Sequence, residues 1–433
     1  MALGGGTWTV QNKVLPGAYI NYVSAQRAGI TMSERGTVAL PIELDWGADG
    51  QVIEVNAEDL DSVMEIFGYS QDADEMLPVR EVFQHAVTCY FYRLNSGEKA
   101  SCDYAQAKHS GIRGNDIRLV VTSNVDDTAK LDVVTYLGTA KVDTQTVSGA
   151  VELTDNDYVV FKKDAVLAET AGMNLTGGTN GNVTGTEHQA ALTALEPYAF
   201  NILGCMSADD KIKAVYAAYT KRMRDQVGVK FQLVVHDYAY DYLGVINVKN
   251  TVSDTDAPGY ALIPWVAGAE AGCAVNKTVE NQSYDGEYTI RIEYTQAQLQ
   301  KAIKAGEFVF HKVGKSVNVL SDINAYVTVT KEMNEDFQLN QVIRVLDQIA
   351  TDIAATFNSQ YLGKVQNNVD GRITFWNDCV DLHQQLQKLG AIEDFESEDI
   401  TVEQGTGKRD VVEYEAVKPV CAMSKLYMTL VVS

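Results

Sequence analysis

Basic residues are the deficit of this chain: 35 Lys and Arg stand against 58 Asp and Glu, a formal charge of −23 over 433 residues. That shortage argues against a nucleic-acid binder, whose phosphate contacts need Lys/Arg surfaces. It argues equally against docking on an anionic membrane. Cysteine is also scarce. Cys89, Cys102, Cys205, Cys273, Cys379 and Cys421 are scattered, with no C-x-x-C pair. They read as small buried hydrophobes in a reducing compartment, not as a disulfide framework. Seven prolines and 33 glycines fit neither a collagen-like nor a Pro-rich disordered chain. No apolar run approaches the roughly 18 residues of a membrane helix. The longest, 257–275, is broken by Pro258, Pro264, Glu270 and several glycines. The opening MALGGGTWTVQNK has neither the basic stretch nor the apolar run of a secretory signal. The chain is therefore expected to be soluble and made in the cytoplasm. On that reading the N-x-S/T sequons at Asn174, Asn182, Asn276 and Asn281 mean little.

What is present suffices for real cores: 46% of residues are hydrophobic, and the length suggests two to three domains. The spacing predicts an α/β core, a mixed sheet flanked by helices, with an inserted all-β domain and extended terminal β-arms. Residues 1–30 form an N-terminal arm, with a flexible Gly4-Gly5-Gly6 lead and a strand through Tyr19, Ile20, Tyr22 and Val23 after Pro16-Gly17. The core takes 31–94 and 186–415. It opens with a strand at 37–42 and a helix over 59–67 capped by Asn56 and ended by Gly68. A helix near 78–86 and a strand over 87–94 follow. Residues 95–185 change texture: short β-type runs at 116–121, 131–137, 147–153 and 157–162 suggest an all-β insertion. It exits through the glycine cluster 176–182, read as a loose linker.

Beyond it, helices and strands alternate again: helix 186–195, strand 199–205, a helix from a capping box at Ser207 to Gly228, and strand 229–235. Thr295 caps a helix ending at Gly306, and 307–313 with 316–320 read as a hairpin. A long stripe (Leu339, Val342, Ile343, Leu346, Ile349, Ile353, Phe357) predicts a helix over 339–361. A second helix over 375–389 turns Phe375, Cys379, Leu382, Leu386 and Leu389 to one side. Residues 391–415 carry nine acids against Lys408 and Arg409. Residues 416–433 form a C-terminal arm with a strand-like run including Leu426, Tyr427, Met428, Leu430 and Val432.

Signatures of catalysis are missing. Gly314-Lys315-Ser316 resembles the tail of a phosphate loop, but the earlier glycine is replaced by Val309, so a hairpin turn is expected. Gly405-Thr406-Gly407-Lys408 fails in the same way, at Val402. The six histidines show no H-x-x-x-H spacing, and no G-x-S-x-G elbow exists. Asp254, Asp256 and Asp285 lack EF-hand spacing. No cofactor or metal site is expected, and the balance tips toward a structural protein.

A set of short motifs then carries a resemblance. Residues 15–24 (LPGAYINYVS), 114–118 (GNDIR), 175–181 (LTGGTNG), 257–260 (APGY), 266–272 (VAGAEAG), 340–349 (NQVIRVLDQI), 361–364 (YLGK), Gly371-Arg372, 390–393 (GAIE) and 425–428 (KLYM) occur in one order. In that order the chain resembles the tail sheath proteins of contractile phage tails and R-type bacteriocins, in the branch from phages and prophage-derived particles of Gram-positive bacteria. The resemblance implies a non-enzymatic subunit that stacks as six-fold rings around an inner tube and contracts. Its implied partners are further copies of itself, the inner tail tube protein, and baseplate and tail-terminator proteins, without cofactor, nucleic acid or membrane insertion. It implies assembly in the bacterial cytoplasm into a particle released on lysis. It also implies a tube-contacting helix ahead of the C-terminal arm. On the 375–389 helix the polar side offers Asn377, Asp381, Gln384, Gln385 and Lys388. The rival readings are a hydrolase-like α/β enzyme with a β lid and a non-contractile surface-array subunit.

Overall fold

The computed structural model describes residues 32–432. The expected strand through Tyr19, Ile20, Tyr22 and Val23 lies outside the described residues. The core opens with β1 (Thr37–Ile42), β2 (Val52–Asn56) and β3 (Thr88–Arg93). Val38, Ala39 and Leu40 are all fully buried, so β1 is covered on both faces. Between β2 and β3 lie two short helices, α1 (Val63–Phe67) and α2 (Leu77–Val82). Asn56 does not cap α1. Its Oδ1 accepts from Thr88 Oγ1 at 2.8 Å and its Nδ2 donates to Asp59 at 3.2 Å. The backbone enters instead through a 3-10 turn over Ala57–Ser62.

The insertion is antiparallel throughout. β4 (Ala105–Ala107), β5 (Ile117–Ser123), β6 (Leu131–Leu137), β7 (Ala140–Val147), β8 (Val159–Phe161) and β9 (Thr170–Asn174) form a β7-β6-β5-β9 sheet and a β4-β8 pair. The run 147–153 is not a strand. β7 ends at Val147, and a 3-10 turn follows over Ala150–Glu152, stabilised where Ser148 N donates to Glu152 Oε2 at 2.8 Å. The core of the insertion (Ile117, Leu119, Val121, Val133, Phe161) takes in Trp46 from the loop after β1. The glycine-rich return is no loose linker. Asn115 Oδ1 accepts from Gly178 N and its Nδ2 donates to Gly178 O, at 2.8 and 2.9 Å. A Cβ on Gly178 would lie 2.5 Å from the Gly111 carbonyl, so glycine serves close packing there.

The chain rejoins the core through α3 (Gly185–Leu195), with a complete Thr184–Glu187 capping box, then β10 (Ile202–Gly204) and α4 (Asp210–Arg222). Asp209, not Ser207, caps α4: its Oδ1 accepts from Lys211 N at 2.8 Å. β11 (Gln232–His236), β12 (Val245–Val248), α5 (Ile263–Gly272), α6 (Gln296–Lys304) and β13 (Glu307–Phe308) follow. β13 splits from the expected hairpin, which is β14 (Phe310–Val313) with β15 (Ser316–Val319) around Gly314. The central sheet runs β13-β12-β11-β10-β1-β3-β2, parallel except for β2. Side chains alternating along β1 divide two cores: Val38 and Leu40 pack with α2 and α5, and Ala39 packs with α3 and α4. α5 is buried almost all round. Cβ atoms on Gly268 and Gly272 would lie 2.3 Å from Val82 O and 2.2 Å from His85 O.

The C-terminal part is α7 (Asn340–Thr356), α8 (Val369–Leu389) and the hairpin β16 (Ile400–Gln404) with β17 (Val411–Glu415). α7 closes in a π turn over Phe357–Tyr361, and Gly363 follows at φ 70°. α8 starts two turns before the expected 375, because Asn368 Oδ1 accepts from Gly371 N at 2.8 Å. Leu389 is exposed, outside the buried stripe of Phe375, Cys379, Leu382 and Leu386. Among the described residues no helix is long and apolar enough to cross a membrane.

Candidate functional site

Among the described residues, the C-terminal part carries one of the two-stranded hairpins with open edges. β16 and β17 are each other's ladder partners in a two-stranded sheet, so among the described residues one edge of each strand has no ladder partner. The hairpin closes where Gly405 N donates to Asp410 O at 2.8 Å and Gly407 N to Asp410 Oδ2 at 2.9 Å. Its inward side chains Ile400, Val402 and Val411 join the core of α7 and α8, while Val412 and Tyr414 point out. Two clefts of about 280 Å³ flank it. One lies beside β16 and is lined by Val369, Ile373, Trp376 and Val402. The other has a floor of Phe357, Tyr361 and Phe375 and a rim of Arg372, Lys408 and Arg409.

After β17 the chain crosses back once. Glu393 N donates to Lys418 O at 3.0 Å, and Val420 N to Ala391 O at 2.9 Å. Ala422 N then donates to Gln341 Oε1 at 3.0 Å. From there to Val432 the described residues belong to no strand. Leu426, Tyr427, Met428, Leu430 and Val432 are 86, 90, 69, 79 and 96% exposed. Contiguous exposed apolar segments of this kind commonly mark interaction surfaces. Cys421, expected to be buried, is exposed at the start of this segment.

The polar candidates on α8 share one side of the helix. Asn377, Asp381, Gln384 and Lys388 are exposed and Gln385 is half-buried, away from the buried face of Cys379, Leu382 and Leu386. Asn377 Nδ2 donates to Ile373 O at 2.9 Å.

Sequence reading missed the charged groups that fasten this region to the core. Arg344 of α7 is buried against Glu270 of α5 at 2.7 Å and Asp322 at 3.4 Å, and it donates to Lys277 O at 2.6 Å. Asn340 Nδ2 reaches Glu270 Oε1 at 3.3 Å, and Thr278 Oγ1 donates to Asp322 at 2.7 Å. Burial and the Asp322 charge push the Glu270 carboxyl well above the usual range. Arg224 grips Asp347 of α7 with two bonds of 2.6 and 2.8 Å. The one available signal was the single charge, Glu270, interrupting the apolar α5. Among the described residues no group of three His, Cys, Asp or Glu side chains could hold a metal ion.

Four family models together span nearly all of the described chain. They are the Gp18 domain III N-terminal region of tail sheath proteins (35–94), the phage tail sheath β-sandwich domain (95–180), the phage tail sheath central domain (181–325) and the phage tail sheath C-terminal domain (332–433). The phage-like element PBSX protein XkdK of Bacillus subtilis is 33% identical, with all of both chains covered. The sheath tail protein of Desulfitobacterium hafniense is 38% identical, with a TM-score of 0.85 over 95% of this chain and 99% of that one. The fold alone is shared, at 13% identity and a TM-score of 0.57, with the contracted helical sheath of the anti-feeding prophage, covering 96% and 99% of the two chains. With the mixed sheet, the β insertion and the C-terminal helical part all matched in one order, the chain belongs to the phage tail sheath protein family.

Proposed function

We propose that this subunit polymerises as stacked six-fold rings around an inner tube, and that its terminal arms are the joints between subunits. The observation carrying this reading is the pairing of needs at the C-terminal end: among the described residues, an apolar tail without a strand partner and a hairpin with two open edges. A two-stranded hairpin is marginal alone and gains from added strands, and strand addition uses main-chain bonds with apolar pockets beside them. The clefts along β16 and near the β17 turn supply such pockets. Charge favours the same encounter. All 58 acids fall between Glu34 and Glu415, whereas the arms carry only Lys13, Arg27, Lys418 and Lys425. Basic arms therefore meet acidic bodies. Each added main-chain bond contributes a net of about 0.5–1.5 kcal/mol, so a five-residue pairing contributes a few kcal/mol per joint. Heterologous contacts repeated in this way generate a helical lattice.

In this reading the polar side of α8 (Asn377, Asp381, Gln384, Gln385, Lys388) faces the inner tube, residues 95–185 face outward, and baseplate and terminator proteins cap the polymer ends. The subunit acts mechanically, inside a phage tail or phage-tail-like particle assembled in a bacterial cell and released on lysis. The test is electron microscopy with sedimentation. Full-length protein is expected to form long hollow cylinders, and removal of residues 1–24 or 424–433, or Leu430→Pro, which deletes a ladder donor, is expected to leave a folded, non-polymerising core. Full-length cylinders from both truncations would remove the arms from the joints.

A further inference from the structure

His383 lies on α8 beneath the hairpin and is wholly buried, with its ring stacked on Phe395 at 4.9 Å. Its Nδ1 stands 2.8 Å from the Cys379 carbonyl oxygen. A carbonyl only accepts, so Nδ1 carries a hydrogen. Nε2 is then a bare lone pair unless the ring is charged. Nε2 stands 3.1 Å from Oε2 of Glu415 on β17, and among the described residues no other N–H or O–H donates to either atom. Two lone pairs facing each other in a buried site repel, so a proton has to sit between them, on the ring or on the acid.

Glu413 repeats the arrangement. It shares the inward face of β17 with Glu415, and its buried Oε1 receives no donor, its side-chain neighbour being the Glu415 carboxyl. Burial, reinforced by Glu415, raises its carboxyl to about 7. Burial opposes charge on His383, but Glu415 and the Cys379 carbonyl outweigh it and lift the ring above the ordinary histidine range. The other titratable groups bordering the site are Cys379 and Asp378 of α8, and Asp378 is engaged by the Tyr361 hydroxyl. The inward side chains of β16, Ile400 and Val402, are uncharged.

From these contacts we infer that protons held on His383 and Glu413 beside Glu415 latch the β16–β17 hairpin onto α8, and that the latch opens as pH rises. The latch is a property of the single chain; its effect on polymers rests on the strand addition proposed above. The docked hairpin binds more protons than the released one. Its opening constant therefore climbs by up to about tenfold per pH unit from the ordinary carboxylate range, about 4.3, toward about 7, and levels off above the raised titrations. Because α8 also carries the proposed tube-facing side chains, the same protons couple the two contact surfaces.

The experiment is amide hydrogen exchange of residues 400–415 in unpolymerised full-length protein from about pH 5 to about pH 8, corrected for intrinsic rates and referenced to β11. Wild-type protection is expected to fall with pH by up to about tenfold per unit. Glu413→Gln, which keeps the shape and removes one proton site, is expected to flatten that profile. A flat wild-type profile, or a Glu413→Gln profile as steep as wild type, overturns the latch. A variant-free reading comes from the ¹⁵N shifts of His383: a bare Nε2 throughout this range, with Glu415 ionised, also overturns it. Sedimentation of polymers over the same range separates the two ideas. Exchange that responds while polymers do not supports the latch and removes the hairpin from the joints.

Discussion

Arg344 of α7 donates to Glu270 of α5 at 2.7 Å, and each side chain is only 1% exposed. This buried pair, shared with Asp322, binds the C-terminal helices to the element most deeply set in the α/β core. Arg344→Met fills similar volume but leaves the Asp322 carboxylate without its cation and the raised Glu270 carboxyl without its donor. It is expected to lower stability by roughly 3–5 kcal/mol, read by thermal or urea unfolding. Unchanged stability would mean that the node is solvated.

Glu270 gives that node a pH dependence of known sign. Its folded carboxyl is raised by burial and by Asp322. The folded state therefore retains a proton that the unfolded chain loses near about 4.3, and stability falls as pH rises past that value. Glu270→Gln is expected to remove this loss, giving a flatter profile of melting temperature against pH than wild type. Parallel profiles would assign the slope to other groups.

Trp46 belongs to the core segment by sequence but packs in the insertion, edge-on to His109 at 5.1 Å. Excising 95–185 with a short linker from Leu94 to Thr186 is thus expected to expose Trp46, the largest apolar side chain the core lends to the insertion. The excised protein should fold but self-associate nonspecifically, and adding Trp46→Ser should restore solubility and ordered polymerisation. Aggregation of both forms would make the insertion part of the core.

Gly268 tests the contact between α5 and α2. A methyl group there would lie 2.3 Å from the Val82 carbonyl, which is backbone. Gly268→Ala is expected to cost about 1–3 kcal/mol, as overpacking does, despite the better helix propensity of alanine. A stabilised variant in a melting experiment would show that the two helices separate freely.

The α8 surface is tested by charge reversal at Asp381 and Lys388. Both are exposed, so folding should change little. Decoration of the inner tube protein, counted by electron microscopy, is expected to drop severalfold while sheath-only polymers persist. Normal decoration would move the tube contact to another face.

The sequence by itself determined the elements whose periodicity or capping is local. β6 coincides with its expected run, α3 and α6 begin at complete capping boxes, and the stripe of α7 was legible from Leu339 to Phe357. The order of motifs likewise sufficed to reveal the family. Tertiary structure decided what local signals leave open. Asn56 had the residue type of a cap, but Thr88 takes its carbonyl oxygen. The glycines at 176–182 promised slack, but Asn115 and the Gly111 carbonyl turn them into a clamp. β2 and β12 are too short and too mixed to announce themselves, and pairing with β3 and β11 creates them. The nine acids of 391–415 carry no local sign of burial, yet the β16–β17 register places Glu413 and Glu415 opposite Val402 and Ile400 on the covered side of a hairpin. Whether a carboxylate is solvated or buried depends on which helix lies beneath it, and only the folded chain brings His383 there.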